Sequence, residues 1–148
     1  FNYEFVAWKP ERVAAFIVNK GGIYYSALLS KAARAVPGLF FAGEKDLDSR
    51  VFTVKGLFGV NRRAGALWAL VEEPGLGHVV GASQSLGALL FEDVLAAPPG
   101  SLVENAGYLG NLHTFAITKR SEVLAVRDIS SWLPTERLAT AWQNAVKK

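Results

Sequence analysis

Asp46 and His78 are the two side chains of this sequence whose chemistry could be coupled. A histidine can shuttle a proton near neutral pH, and a carboxylate beside it fixes its tautomer and stabilises the imidazolium. Asp46 falls four residues past the apolar run Leu39-Phe40-Phe41-Ala42, in Gly43-Glu44-Lys45-Asp46-Leu47-Asp48. His78 falls seven residues past the next apolar run, Ala66-Leu-Trp-Ala-Leu-Val71, within Pro74-Gly75-Leu76-Gly77-His78. Two adjacent strands can bring such a pair within hydrogen-bond reach, although any Asp and His in neighbouring loops would qualify on spacing alone. Asp48 is the fallback acid if Asp46 points away.

The other polar groups read more plainly. Glu44-x-Asp46-x-Asp48 departs from a calcium loop, which wants Gly at its sixth position and Glu at its twelfth; Ser49 and Lys55 stand there. Glu44 and Asp48 therefore read as a solvated loop. His113 has no recognisable partner motif and reads as structural. Gly21-Gly22 with Tyr24-Tyr25 lacks the spacing of a phosphate-binding loop; these residues would shape a loop beside a pocket, with Tyr24 and Tyr25 as candidate substrate-lining residues. Ser83 and Ser85 fall in Gly81-Ala82-Ser83-Gln84-Ser85-Leu86-Gly87 and read as first-turn helix residues whose hydroxyls cap backbone N–H groups.

The elements that would position Asp46 and His78 alternate in type. The run Val13–Val18 reads as a strand stopped by Asn19-Lys20-Gly21-Gly22, and residues 26–35 as a helix ended by Pro37-Gly38. Leu39–Ala42 is a second strand, 49–64 a helix with Val51, Val54, Leu57 and Phe58 at helical spacing, and Gly65 its stop. Ala66–Val71 is a third strand, and 81–96 a helix closed by Pro98-Pro99-Gly100. Near-continuous apolar strands joined by helices predict an α/β fold with a parallel sheet flanked by helices on both faces. Ligands of such sheets bind at the carboxyl ends of the strands, where the sets 19–22, 44–48 and 72–78 would converge. Beyond Gly100 the pattern predicts one short strand, Thr114–Thr118, an otherwise irregular stretch over 101–131, and a terminal helix over 134–147 with Pro134 in its first turn. Trp68 reads as sheet core, and Trp132 and Trp142 as docking the terminal helix.

Composition narrows the classes. The 148 residues make one α/β unit, with a strand–helix core over 12–96 and an extension over 101–148. There is no Cys, which excludes disulfides, thiolate metal sites and a cysteine nucleophile, and two histidines give a multi-histidine metal site little to build from. No metal or cofactor is implied. No Met is present, even at position 1, so the chain reads as a processed product, a fragment or a piece of something larger. The net charge of +3 is spread thinly: residues 1–74 carry ten Lys/Arg against seven acids, and 75–148 six against six. Arg62-Arg63, Lys119-Arg120 and Lys147-Lys148 are the basic pairs, too scattered for a nucleic-acid surface. No apolar run reaches the ~20 residues of a membrane span. A Cys-free composition permits an exported location, periplasmic or secreted, which is slightly favoured over the cytoplasm without being required.

One resemblance joins these features. The stretch from Pro37 through Gly43-Glu44-Lys45-Asp46, then a helix, then Gly65 through Gly75-Leu76-Gly77-His78, resembles the C-terminal half of α/β-hydrolase-fold serine esterases of bacterial type. In that family the acid follows the seventh strand in a Gly-x-x-Asp context and the histidine follows the eighth in Gly-x-Gly-His; Val13–Val18 would then be the sixth strand. The resemblance covers roughly residues 12–96, and Trp132 to Trp142 is similar to the tail of some members. It implies Asp46 as acid and His78 as general base, acting on a small-molecule or polymeric ester. The family's nucleophile lies earlier, in a Gly-x-Ser-x-Gly turn after the fifth strand, and no such turn precedes Asp46. The expected partner is thus an N-terminal half or second chain carrying the serine. The alternative is a non-catalytic, hydrolase-derived subunit serving binding or assembly.

Overall fold

The computed structural model describes residues 1–124 and 130–147. Residues 125–129, part of the stretch read as irregular, and Lys148 of the terminal basic pair lie outside the described residues. Strands β1 (Phe16–Asn19), β2 (Gly38–Gly43) and β3 (Trp68–Glu73) form a parallel sheet in that order. The class is α/β. Side chains alternate along a strand, so each run feeds two cores. Phe16, Val18, Phe40, Ala42, Trp68 and Leu70 pack with α1 (Asn2–Trp8), α2 (Lys31–Arg34) and α3 (Asp48–Arg63) through Tyr3, Val6, Ala33, Val54 and Phe58. Leu39, Phe41, Ala69 and Val71 face the other way, against α4 (Ser83–Ala96) and α5 (Glu136–Val146) through Leu86, Leu90, Leu138 and Trp142. All six residues of β2 are buried, as a central parallel strand covered on both faces must be.

Several boundaries differ from the sequence reading, for local reasons. β1 begins at Phe16 instead of Val13 because its ladder partner, β2, begins at Gly38, opposite Phe16. β3 runs on to Glu73, past Val71, because Ala42 and Gly43 still pair with Glu72 and Glu73. The helix read over 26–35 is confined to Lys31–Arg34, where Ser30 caps it by accepting from the Ala33 amide at 3.2 Å. Pro134 lies outside α5: Thr135 is the cap, accepting from Leu138 N at 3.1 Å. Ser83 and Ser85 do not cap α4, since their hydroxyls donate to the Val80 and Ala82 carbonyls at 2.7 and 3.1 Å. α1, at the start of the chain, has no counterpart in the sequence reading.

The region after Gly100 is more ordered than its sequence suggests. Strands β4 (Tyr108–Asn111), β5 (Ile117–Lys119) and β6 (Ser130–Leu133) form an antiparallel sheet in the order β5-β4-β6. The strand expected at Thr114–Thr118 is displaced to Ile117–Lys119, because Asn111 Oδ1 accepts from His113 N and Thr114 N and makes a turn there. A side chain joins this sheet to β3: the Ser131 hydroxyl accepts from Leu70 N at 2.8 Å and donates to Leu70 O at 3.3 Å. Trp132 does not dock the terminal helix; it packs with Leu67 and Leu109, its Nε1 donating to Ala106 O at 2.9 Å.

Trp142 does dock that helix. It is fully buried, donates from Nε1 to Leu70 O at 2.6 Å, and lies so close to β4 that a side chain at Gly110 would overlap its ring. Trp142→Ala should therefore cost about 3–5 kcal/mol. In urea denaturation that is a midpoint drop of roughly 2 M.

Candidate active site

The register of β2 against β3 builds the site. Gly43 pairs with Glu73, so the two loops leave the sheet side by side from the carboxyl ends of adjacent strands. Backbone bonds then hold loop to loop: Glu44 N donates to Glu73 O at 3.1 Å, and Lys45 N to Leu76 O at 2.8 Å. Glycine is required at position 43 because an added Cβ would lie 2.5 Å from Gly77 O and 2.6 Å from Leu76 O. Glu44 is more than solvated loop. Its Oε2 accepts from Gly75 N at 2.6 Å, holding the turn in which Gly75 has φ of +71°.

These contacts bring Asp46 and His78 together. Asp46 Oδ1 accepts from its neighbour Leu47 N at 2.7 Å and from Arg50 Nη1 at 3.1 Å. That leaves Oδ2 for His78 Nδ1, at 2.9 Å. The Asp46 side chain is 3% exposed and the His78 side chain 56%. Because a carboxylate accepts, Nδ1 carries the proton of this bond, and in the neutral ring Nε2 keeps its lone pair. The arrangement is a fixed, one-sided base.

The acid's ionisation follows from the same bonds. The His78 hydrogen bond is the largest cause holding the Asp46 carboxyl down at about 2; burial opposes it, and the Leu47 amide and Arg50 reinforce it. A depressed carboxylate stabilises the fold fully above its unfolded value, about 4, and loses that contribution as pH falls toward 2. Urea midpoints should thus separate the parent from Asp46→Asn most above pH 4. The gap should close by about pH 2.

Set against protein-family models, curated proteins and solved structures, the chain matches none. What the site does must follow from its own geometry.

Among the described residues, none of the remaining candidates hydrogen-bonds Asp46 or His78 through its side chain. Tyr24 packs edge-on against Tyr3, ring centroids 5.2 Å apart, and burial pushes its hydroxyl up to about 12. It lines a cavity with Phe1, Asn2 and Asn19, whereas Tyr25 is exposed beside Phe5 and Trp8; neither cavity is lined by Asp46 or His78. Their loop approaches Arg50 at Gly22, where an added Cβ would lie 3.2 Å from the Arg50 side chain. Asp48 opens α3 and is exposed, so the fallback acid is not the one that meets the histidine. His113 is exposed in the Asn111 turn and, with Glu44 and Lys55, lines a groove of about 490 Å³ that does not include the dyad. Among the described residues, no group of three or more His, Asp or Glu side chains is placed to hold a metal ion. No described helix is long and apolar enough to cross a membrane.

Arg50 and Glu44 are site residues that the sequence reading missed. A signal for Arg50 existed: it stands four residues after Asp46 at the start of a helix, the spacing of a same-face ion pair.

Proposed function

We propose that this chain is the acid- and base-bearing part of a serine-type ester hydrolase, with the N-terminal half of the fold supplied by another polypeptide segment. The observation that carries the reading is the Asp46 Oδ2 to His78 Nδ1 hydrogen bond on adjacent post-strand loops, with the ring more than half exposed. His78 Nε2 takes the proton of an incoming serine hydroxyl as the serine oxygen attacks the ester carbonyl. It returns that proton to the leaving alcohol, then activates water for the second half of the reaction by the same route. Asp46 holds the tautomer and offsets the imidazolium charge; Arg50 and the Leu47 amide fix the carboxylate without competing for Oδ2.

Two further observations support an external nucleophile. Among the described residues no serine hydroxyl bonds His78, and Ser83 and Ser85 are engaged as donors to backbone carbonyls. β1 is an edge strand of the parallel sheet whose Ile17 carbonyl takes a side chain, Asn2 Nδ2 at 2.9 Å, that a further strand would displace. The missing nucleophile also favours the second reading, a non-catalytic subunit that keeps an ancestral dyad. Intact-mass analysis of native material, run beside an ester-hydrolysis assay, separates the two. A second polypeptide together with turnover supports the hydrolase. A folded, inert chain of 16.0 kDa alone supports the subunit.

A further inference from the structure

The carboxyl ends of β1 and β3 are joined over β2 by a buried ion pair, Lys20–Glu73, whose side chains are 1% and 3% exposed. Two strand spacings, about 9.5 Å, separate such ends, so only a long side chain can span them. Lys20 does so from a left-handed backbone conformation, φ +53°, rare for a residue with a Cβ. Its stem passes over Gly43, where an added Cβ would lie 3.0 Å from Lys20 Cε, and its Nζ also donates to Asn19 Oδ1 at 3.1 Å. Lys20 thus crosses the strand end from which Asp46 departs.

Glu73 holds the histidine's loop at both ends. The loop leaves the sheet at Glu73 itself, and at its far end Ala82 N donates back to Glu73 Oε1 at 2.6 Å, while Oε2 takes Lys20. Gly81, with φ of +57°, has no room for a side chain because the Glu73 carboxylate occupies that space. One carboxylate closes the segment 74–81, with His78 inside it.

A buried ion pair seldom adds net stability over apolar residues of similar volume, so this one calls for another reason. We propose that Lys20 and Glu73 are positioning residues, a clamp that sets the His78 loop against Asp46. The catalytic part of this inference rests on the hydrolase reading; the positioning part does not.

The test is the double replacement Lys20→Met/Glu73→Leu, with Glu73→Gln as a second variant that keeps an acceptor for Ala82 but loses the charge. The full chain is followed by NMR. In the double variant, near-UV circular dichroism should stay close to the parent, and the urea midpoint should fall no further than it does in Asp46→Asn. The Ala82 amide should lose hydrogen-exchange protection at least tenfold, and the Asp46 carboxyl, about 2 in the parent, should titrate near the ordinary 3.8 as its histidine partner drifts. Glu73→Gln should retain Ala82 protection and show an intermediate Asp46 titration. In the assembled hydrolase, kcat should fall about 100-fold with KM little changed. Asp46 still titrating at about 2 beside a protected Ala82 amide in the double variant would overturn the clamp. So would global unfolding of both variants, which would make the pair purely structural. A loosened dyad in material without ester turnover supports the clamp and contradicts the hydrolase reading, so the two failures are distinguishable.

Discussion

On the proposed hydrolase function, His78→Ala in the native assembly should lower kcat/KM by about 10³- to 10⁶-fold, the range expected when the base of a serine-histidine-carboxylate unit is removed. The size follows from the geometry. With Nδ1 bonded to Asp46, Nε2 is the ring atom left to take a proton, and on the proposed function the incoming serine would have to ionise unaided without it. The chain should still fold, because the ring is 56% exposed, and the stability lost should be no more than its hydrogen bond to Asp46 supplies. Steady-state hydrolysis of an activated ester, beside circular dichroism of the same sample, checks both halves. A near-parental rate would remove the proposed function. Loss of activity together with loss of structure would mean that the histidine is part of the scaffold.

Asp46→Asn should cost on the order of 10⁴-fold in kcat, with KM close to the parent's. An asparagine keeps the shape and can still accept from the Leu47 amide and Arg50 through one oxygen. It then presents an NH2 group to His78 Nδ1. The ring must accept from that group, so its proton moves to Nε2, the atom that should be taking one. The imidazolium also loses its counter-charge. The substitution therefore separates chemistry from architecture, and rate profiles against pH for the two chains are the check. A loss of tenfold or less would show that the carboxylate orients nothing essential.

How far the sequence foretold these residues differs from one to the next. Asp46 and His78 were legible because each follows a buried apolar strand within a glycine-bounded loop, and parallel strands bring consecutive post-strand loops together. Tyr24 and Tyr25 also follow a strand, but that position did not reveal α1. Tyr3 on that helix packs against Tyr24, and Glu4 accepts from Tyr25 N at 2.8 Å, so α1 holds both. The strand Ser130-Ser-Trp-Leu was not legible because nothing in it alternates; its serines are buried, and Ser131 satisfies both backbone groups of Leu70. Lys20–Glu73 was beyond sequence reading altogether. The two residues are 53 apart, and only the three-strand register places them at one edge.

The hydrolase reading requires a serine outside the described residues that His78 activates. The most direct measurement is labelling of the native, assembled material with a serine-directed fluorophosphonate, followed by mass analysis of every polypeptide present. The predicted result is one labelled serine on a companion polypeptide, with labelling slowed at least 100-fold when the assembly carries His78→Ala. An unlabelled companion, or labelling that proceeds equally fast without His78, would contradict it.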